Sequence, residues 1–199
     1  MSPPSLQLEI RDLAVRRGPR LLFENLRFTL AAGEILHLQG ANGAGKTSLL
    51  ETLAGLRRPA AGEVGGLPEQ GGLHWLGHRN GLNLNLSVLE NLEFWCGLNG
   101  APAAACQPAL ERVGIWKLRH RLVRTLSAGQ KRRAALSQQP RQRRPLWLLD
   151  EPLDGLDRQG LDLFAQLLGE HAGGGGASLV TSHQPLPAGL SGVRSLVLA

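Results

Sequence analysis

The sequence predicts an α/β fold: a largely parallel sheet with helices, an antiparallel strand region at its start and a helical insert in its second half. Three observations predict it. A glycine-rich loop, Gly40 to Thr47, lies between the apolar stretch Ile35, Leu36, Leu38 and the residues Leu49, Leu50, Leu53, Ala54 and Leu56, which recur at helical spacing. A second apolar run, Leu146 to Leu149, ends in the paired carboxylates Asp150 and Glu151. Between the two, residues from about 83 to 139 read as mostly helical.

The elements follow in order. Leu6, Leu8 and Ile10 alternate, as do Leu26, Phe28 and Leu30, and Arg17-Gly18-Pro19 supplies a turn between two strands. The helix after the glycine loop is expected to stop near Gly55, with Pro59 beyond it. Gly62 to Gly72 reads as a tight, abbreviated hairpin, and Leu73 to Leu76 as a short strand ending in Gly77-His78. Ser87 with Glu90 three residues on is a capping-box signal for a helix start. Helical texture then runs, with breaks at Gly97 to Pro102, through Ala109 to Val113. After the strand Leu146 to Leu149 a helix is expected from about Leu161 to His171. Gly173 to Gly176 reads as a link, and Ser178 to Thr181 as a buried strand. No internal repeat appears, so each motif occurs once.

The motifs carry a particular chemistry. Gly40-Ala41-Asn42-Gly43-Ala44-Gly45-Lys46-Thr47 fits the phosphate-loop pattern, followed by Ser48. Gly43 and Gly45 allow the backbone to approach a polyphosphate, and the helix N-terminus turns free N–H groups on the same anion. Lys46 would reach the β- and γ-phosphates, and Thr47 would place its hydroxyl on Mg²⁺. Asp150, ending a strand, suits the same Mg²⁺, and Glu151 suits the polarisation of an attacking water. Ser127 in Leu126-Ser127-Ala128-Gly129-Gln130 can cap a helix, and Gly129 opens its N-terminus to an anion. In Asp154-Gly155-Leu156-Asp157, Asp157 reads as the functional carboxylate and Asp154 as a turn or cap residue. His183, at the end of the late strand, could donate to a γ-phosphate.

Composition sets the bounds. The 199 residues fit one domain, and 42% hydrophobic residues suffice for a core. No basic start with an apolar stretch marks a secretory signal, and no apolar run approaches the ~20 residues that span a bilayer. A membrane role is therefore expected to come through a partner. The formal charge of +6 raises the question of nucleic acid. Only Lys46, Lys117 and Lys131 are lysines, so 19 of the 22 basic residues are arginine, a bias that does not read as a recognition surface. Arg132, Arg133, Arg141, Arg143 and Arg144 are expected to form a solvated or acidic-partner-facing patch; with no aromatic residues among them, no nucleic acid is expected. Cys96 and Cys106 match no zinc pattern and read as reduced thiols.

Taken together, the order of Gly40 to Thr47, Leu126 to Gln130, Leu149 to Pro152, Asp157 and His183 resembles the ATP-binding cassette (ABC) ATPases across the whole chain. The resemblance implies a P-loop NTPase fold of the ABC nucleotide-binding type: a RecA-like core with an antiparallel β side and a helical subdomain. Residues 1–199 would form one such domain, its core at about 1–77 and 140–199 and its helical subdomain at about 78–139. It implies ATP and Mg²⁺ as ligands and ATP hydrolysis as the reaction. It also implies a head-to-tail dimer of two copies, in which Ser127, Gly129 and Gln130 cap the nucleotide held by the other subunit. Gly77-His78, Leu89 to Phe94, Pro145 to Pro152 and Ser182 to Leu186 are similar to the haem-exporter ATP-binding subunits of bacterial cytochrome c maturation. That branch implies integral-membrane permease partners of a haem export complex and a peripheral location on the cytoplasmic face of the bacterial inner membrane. The alternatives are an ATPase subunit of another ABC transporter, and a soluble ABC ATPase acting on nucleic acid or the ribosome.

Three departures from the family pattern stand out. His78 occupies the place of a Gln that touches Mg²⁺ and transmits state to the membrane partner; the haem-exporter branch is similar in having His here. The aromatic residue that stacks on adenine is missing, leaving Arg16 or Arg17 near its expected position; Arg17 could stack its guanidinium on the base. Ser137 to Gln142, containing Pro140, interrupts what the family carries as an apolar helix, and proline inside a helix costs roughly 3 kcal/mol.

Overall fold

Alternation between buried and exposed side chains builds the first sheet. In the computed structural model, which describes residues 6–69, 71–138 and 144–198, strand β1 (Gln7–Arg17) and strand β2 (Arg20–Ala31) pair antiparallel around Gly18. Leu8, Ile10, Leu13 and Val15 of β1 and Phe23, Phe28 and Leu30 of β2 face the core. Asp12 and Asn25 adopt left-handed backbone (φ 48° and 55°) where the ladder slips register, and the Arg27 guanidinium closes on the Asp12 carboxylate across the bulge. Strand β4 (Ala61–Gly65) pairs antiparallel with the other edge of β1, giving the order β2-β1-β4. The glycine-rich segment expected to fold back on itself is thus a third strand of the first sheet. Gly62 and Gly66 take positive φ there, and an added Cβ at either would sit within 2.6 Å of the β1 backbone.

The second sheet is wholly parallel, in the order β5-β6-β7-β3-β8. Its strands are β3 (Ile35–Gln39), β5 (Leu73–Leu76), β6 (Leu146–Leu149), β7 (Ala177–Thr181) and β8 (Val193–Val197). Sequence reading found the first four and missed β8, whose mostly exposed residues give no apolar run. Both faces are covered, so consecutive side chains go to different cores. Leu146 and Leu148 pack with Leu36, Leu38, Leu179 and the first sheet, against Leu49, Leu50 and Leu53 of helix α1 (Lys46–Leu53). Trp147 and Leu149 pack with Val180, against Phe164 and Leu168 of helix α5 (Arg158–Gly173) and the helical insert. Each fully buried leucine stabilises this arrangement by about 2 kcal/mol.

The insert carries helices α2 (Val88–Leu98), α3 (Cys106–Arg112) and α4 (Ala128–Ser137), with short 3₁₀ turns between them. Capping boxes start two of them: Ser87 with Glu90, and Ser127 with Gln130. Such a cap contributes about 1 kcal/mol. Helix α4 closes at Gln138; the expected Gln139-Pro140 break lies outside the described residues. Cys96 and Cys106 are buried free thiols with sulfurs 3.5 Å apart, and burial pushes the Cys106 thiol up to about 12. Among the described residues no helix is long and apolar enough to cross a membrane.

The expected basic patch is corrected by the fold. Arg132 and Arg133 are buried, at 3% and 9% exposure, and bind protein groups. Arg144 donates to the Leu73 carbonyl and the Asn99 side chain. Arg141 and Arg143 lie outside the described residues. The guanidinium groups of Arg132, Arg133 and Arg144 are turned onto protein carbonyl, carboxylate and amide groups.

Candidate functional site

Parallel strands bring their C-terminal ends to one edge, and four sequence-distant motifs meet there. The glycine loop leaves β3, Gly77-His78 leaves β5, Asp150-Glu151 leaves β6 and Ser182-His183 leaves β7. A cleft of about 340 Å³ opens at this edge, lined by Asn42, Gly43, Gly45, Lys46, Thr47, Ser48, His78, Glu151 and His183, with Arg17, Leu22 and Asp154.

The loop holds its shape through glycine. Gly40 and Gly45 have φ of 149° and 107°, and a Cβ on Gly40 would lie 2.5 Å from the Leu198 carbonyl oxygen. Lys46, 7% exposed, arches over the loop and donates from Nζ to the carbonyls of Gly40 (2.8 Å) and Ala41 (3.3 Å). Ala44 packs beneath, against the core of the first sheet. Thr47 Oγ1 donates to Asp150, 2.9 Å from Oδ2 and 3.2 Å from Oδ1.

Asp150, 1% exposed, is held from a second side by the Thr181 hydroxyl, which donates to Oδ1 at 2.9 Å. Thr181 Oγ1 in turn accepts from the Glu151 N–H at 2.9 Å. Glu151 takes a left-handed φ of 48°, unusual for a residue with a side chain and common at functional sites. Its carboxylate accepts the His183 N–H at 3.2 Å, and its Oε1 lies 3.4 Å from His183 Nε2. Its carbonyl accepts from Arg132 at 2.8 Å.

Ser127, Gly129 and Gln130 stand apart from this cleft. Ser127 Oγ accepts the Gln130 N–H, and the Gln130 side chain accepts the Ser127 N–H. Gly129 presses against the Asp154–Asp157 turn, where an added Cβ would lie 2.6 Å from the Gly155 carbonyl oxygen.

The two aspartates of that turn take different positions in the structure. Asp157 caps α5, accepting from the Gly160 N–H at 2.8 Å, and pairs with Arg133. Those contacts hold its carboxyl below the usual range, the Arg133 hydrogen bond most strongly. Asp154, expected to be a turn or cap residue, lies in the turn and lines the cleft, and the helix is capped by Asp157. Asp157 is the residue whose backbone leads directly into the helix, so its side chain is the one that reaches the free N–H groups. Arg17 joins the cleft wall beside Leu22, whereas Arg16 turns to the Pro19 carbonyl. Leu22, Thr181 and Arg132 escaped sequence reading. Leu22 and Arg132 carry no local motif; Thr181 offered a signal, a hydroxyl residue ending an apolar strand two positions before His183.

A glycine loop at a helix start, a strand-end carboxylate on that loop's hydroxyl residue, and a neighbouring Glu–His pair form the arrangement expected of an ATP-binding cassette. The chain belongs to the ABC transporter family, whose profile matches residues 23–154. This makes it an ATP-binding protein of a family of ATPases that work as dimers with membrane partners. Within the family it is 44% identical to the cytochrome c biogenesis ATP-binding export protein CcmA of Rhodobacter capsulatus, over 96% of this chain and 87% of that one. Against the CcmA of Escherichia coli K12 it is 42% identical over 96% of both chains. Among solved structures it is similar to an ABC transporter ATP-binding protein from Pyrococcus furiosus, with a TM-score of 0.81 and 26% identity, covering 96% of this chain and 97% of the other.

Proposed function

We propose that this chain is the ATP-hydrolysing subunit of a membrane ABC complex that serves haem export, or the loading of a haem chaperone, in c-type cytochrome biogenesis. Its place would be the cytoplasmic face of a bacterial inner membrane, held there by integral-membrane subunits. The observation that carries the ATPase reading is the convergence of Lys46, Thr47, Asp150, Glu151 and His183 at one sheet edge. The relatives' names support the cytochrome c branch.

Lys46 would exchange its two loop carbonyls for β- and γ-phosphate oxygens, with the loop's N–H groups cradling the rest. The Thr47 hydroxyl, which lines the cleft, and the Asp150 carboxylate buried behind it would fit Mg²⁺, which takes one or two protein oxygens and completes its shell with phosphates and waters. When bound there, Mg²⁺ neutralises charge on the triphosphate. Glu151, its carboxylate already turned by the His183 N–H, would orient the attacking water and accept its proton. His183 would donate to the γ-phosphate, His78 would face the same group from the end of β5, and Arg17 with Leu22 would receive the base.

The distance of Ser127, Gly129 and Gln130 from their own chain's cleft supports a second copy, arranged head to tail, whose motif would close each site. Asp157, exposed over 70% of its side chain, remains available to that junction. For the membrane subunits, a groove of about 210 Å³ lined by Leu86, Phe94, Trp95 and Leu98 supports docking of an apolar cytoplasmic segment. Phe94 and Leu98 are 68% and 69% exposed, and the groove begins at Gly81, three residues beyond His78.

Glu151→Gln tests the central role. The variant should bind ATP and accumulate as a nucleotide-bound dimer on size exclusion while losing about 10²–10³ in turnover. Turnover at the wild-type rate would remove Glu151 from the mechanism.

A further inference from the structure

Glu151 is held at both ends of its peptide unit. Thr181 takes its N–H from β7, while Arg132, on the first turns of α4, donates to its carbonyl from Nη2 at 2.8 Å. The other terminal nitrogen of Arg132 reaches the Gly77 carbonyl at 3.5 Å, next to His78. One guanidinium thus joins three segments: the helix that begins at Ser127, the residue proposed to orient water, and the loop that carries His78. Arg132 is 3% exposed, and no carboxylate within salt-bridge distance occupies it among the described residues. Burial weakens its charge, and the carboxylates of Asp154, Asp150 and Glu151 support it. A buried guanidinium spent on a backbone carbonyl needs a reason, because a neutral donor would satisfy that carbonyl with less desolvation.

We infer that Arg132 is a positioning residue for ATP hydrolysis. It fixes the left-handed turn at Glu151, and so the direction of the Glu151 carboxylate, from the helix whose start caps the second copy's nucleotide. A backbone held at φ 48° persists only where its surroundings over-determine it. With Arg132 gone, the Glu151 carbonyl keeps only the longer bond from the Asp154 N–H at 3.2 Å, inside its own turn, so the link to α4 is lost and the carboxylate is aimed less tightly. The inference rests on the reading of Glu151 as the group that orients water.

The test uses the whole chain carrying Arg132→Gln, Arg132→Lys or Glu151→Gln, with kcat and KM for ATP, the affinity for trinitrophenyl-ATP and Tm measured for each. Arg132→Gln should lower kcat by about a hundredfold, the cost of a small misplacement of a reacting group. Nucleotide affinity and KM should stay within about twofold, because Arg132 touches no residue of the phosphate loop. Arg132→Lys retains one donor for the Glu151 carbonyl and should recover part of the turnover. Unchanged kcat in Arg132→Gln, an equal loss of affinity and kcat, or a Lys variant no better than Gln would overturn the inference. If Arg132→Gln fails to fold, the Lys variant decides alone: full turnover, or loss of nucleotide affinity, refutes positioning. An inactive Glu151→Gln beside a fully active Arg132→Gln sinks only the role of Arg132; an active Glu151→Gln sinks the role of Glu151 itself.

Discussion

Thr181 offers the sharpest test of how the site is built, because one hydroxyl serves two catalytic-motif residues at once. It donates to Asp150 Oδ1 and accepts from the Glu151 N–H, each at 2.9 Å, and the residue is fully buried. Thr181→Val keeps the shape and removes the hydroxyl. The Glu151 N–H is then left without its partner in a dry setting, at a cost of about 1–3 kcal/mol. Asp150 loses a hydrogen bond to a charged acceptor, worth about 1.5–3 kcal/mol more. The sum, about 2.5–6 kcal/mol, is a large share of the ~5–15 kcal/mol that holds a typical domain together. Thr181→Ser makes the opposite change: it keeps the hydroxyl and loses one buried methyl, costing about 1 kcal/mol. Urea unfolding of both variants, read with ATPase turnover, gives the comparison. Valine should be far the worse in stability and in kcat. A Val variant as stable as the Ser variant would mean that packing, and not this hydroxyl, organises the strand ends.

Three further outcomes are expected. Burial, aided by the charges of Arg144 and His171, pushes His74 down to about 3, and burial pushes His171 down to about 4. Both stay neutral in the fold while the unfolded chain takes up their protons below about pH 6.5; stability is therefore full above that pH and falls as pH drops toward 4, by up to about 2.7 kcal/mol per pH unit for the two together. Urea midpoints measured between about pH 7 and 4.5 should show it. His74→Phe should halve the slope, and a flat profile would contradict the burial of neutral rings. In the loop, Gly40→Ala should cost more stability than Gly43→Ala: Gly43 adds only backbone strain of about 1–2 kcal/mol, having nothing within 4 Å of an added Cβ, whereas Gly40 also drives a Cβ into the Leu198 carbonyl at 2.5 Å. Thermal melts of the two would rank them. Finally, Phe94→Asp with Leu98→Asp should leave ATP turnover of the purified chain unchanged and abolish its recovery with membrane subunits. Undiminished recovery would move the docking surface elsewhere.

What could be read in the sequence was what short-range physics fixes. The glycine loop, the strand ends at Leu76 and Leu149, and the caps at Ser87 and Ser127 each depend on residues within one turn or one strand of each other. Lys46 and Thr47 were legible for the same reason: they sit in a loop that carries its own geometry. The start of α5 was misplaced by three residues because no apolar residue marks its first turn, and only the Asp157 contact with Gly160 shows where it begins.

Tertiary structure decided everything that crosses between segments. The pairing of β4 with β1, and of β8 with β3, is set by which edges remain free once the sheets stack, and neither strand has an apolar run of its own. The sequence reading put Arg132 and Arg133 in a solvated or acidic-partner-facing patch because charge alone says nothing about which carbonyl or carboxylate waits within reach. Leu22, Thr181 and Arg132 serve the site from β2, β7 and α4, and their roles exist only because a parallel sheet gathers its strand ends at one edge. Local sequence thus placed the candidate site residues within their own motifs, while the long-range hydrogen bonds between those motifs came from the order of the strands.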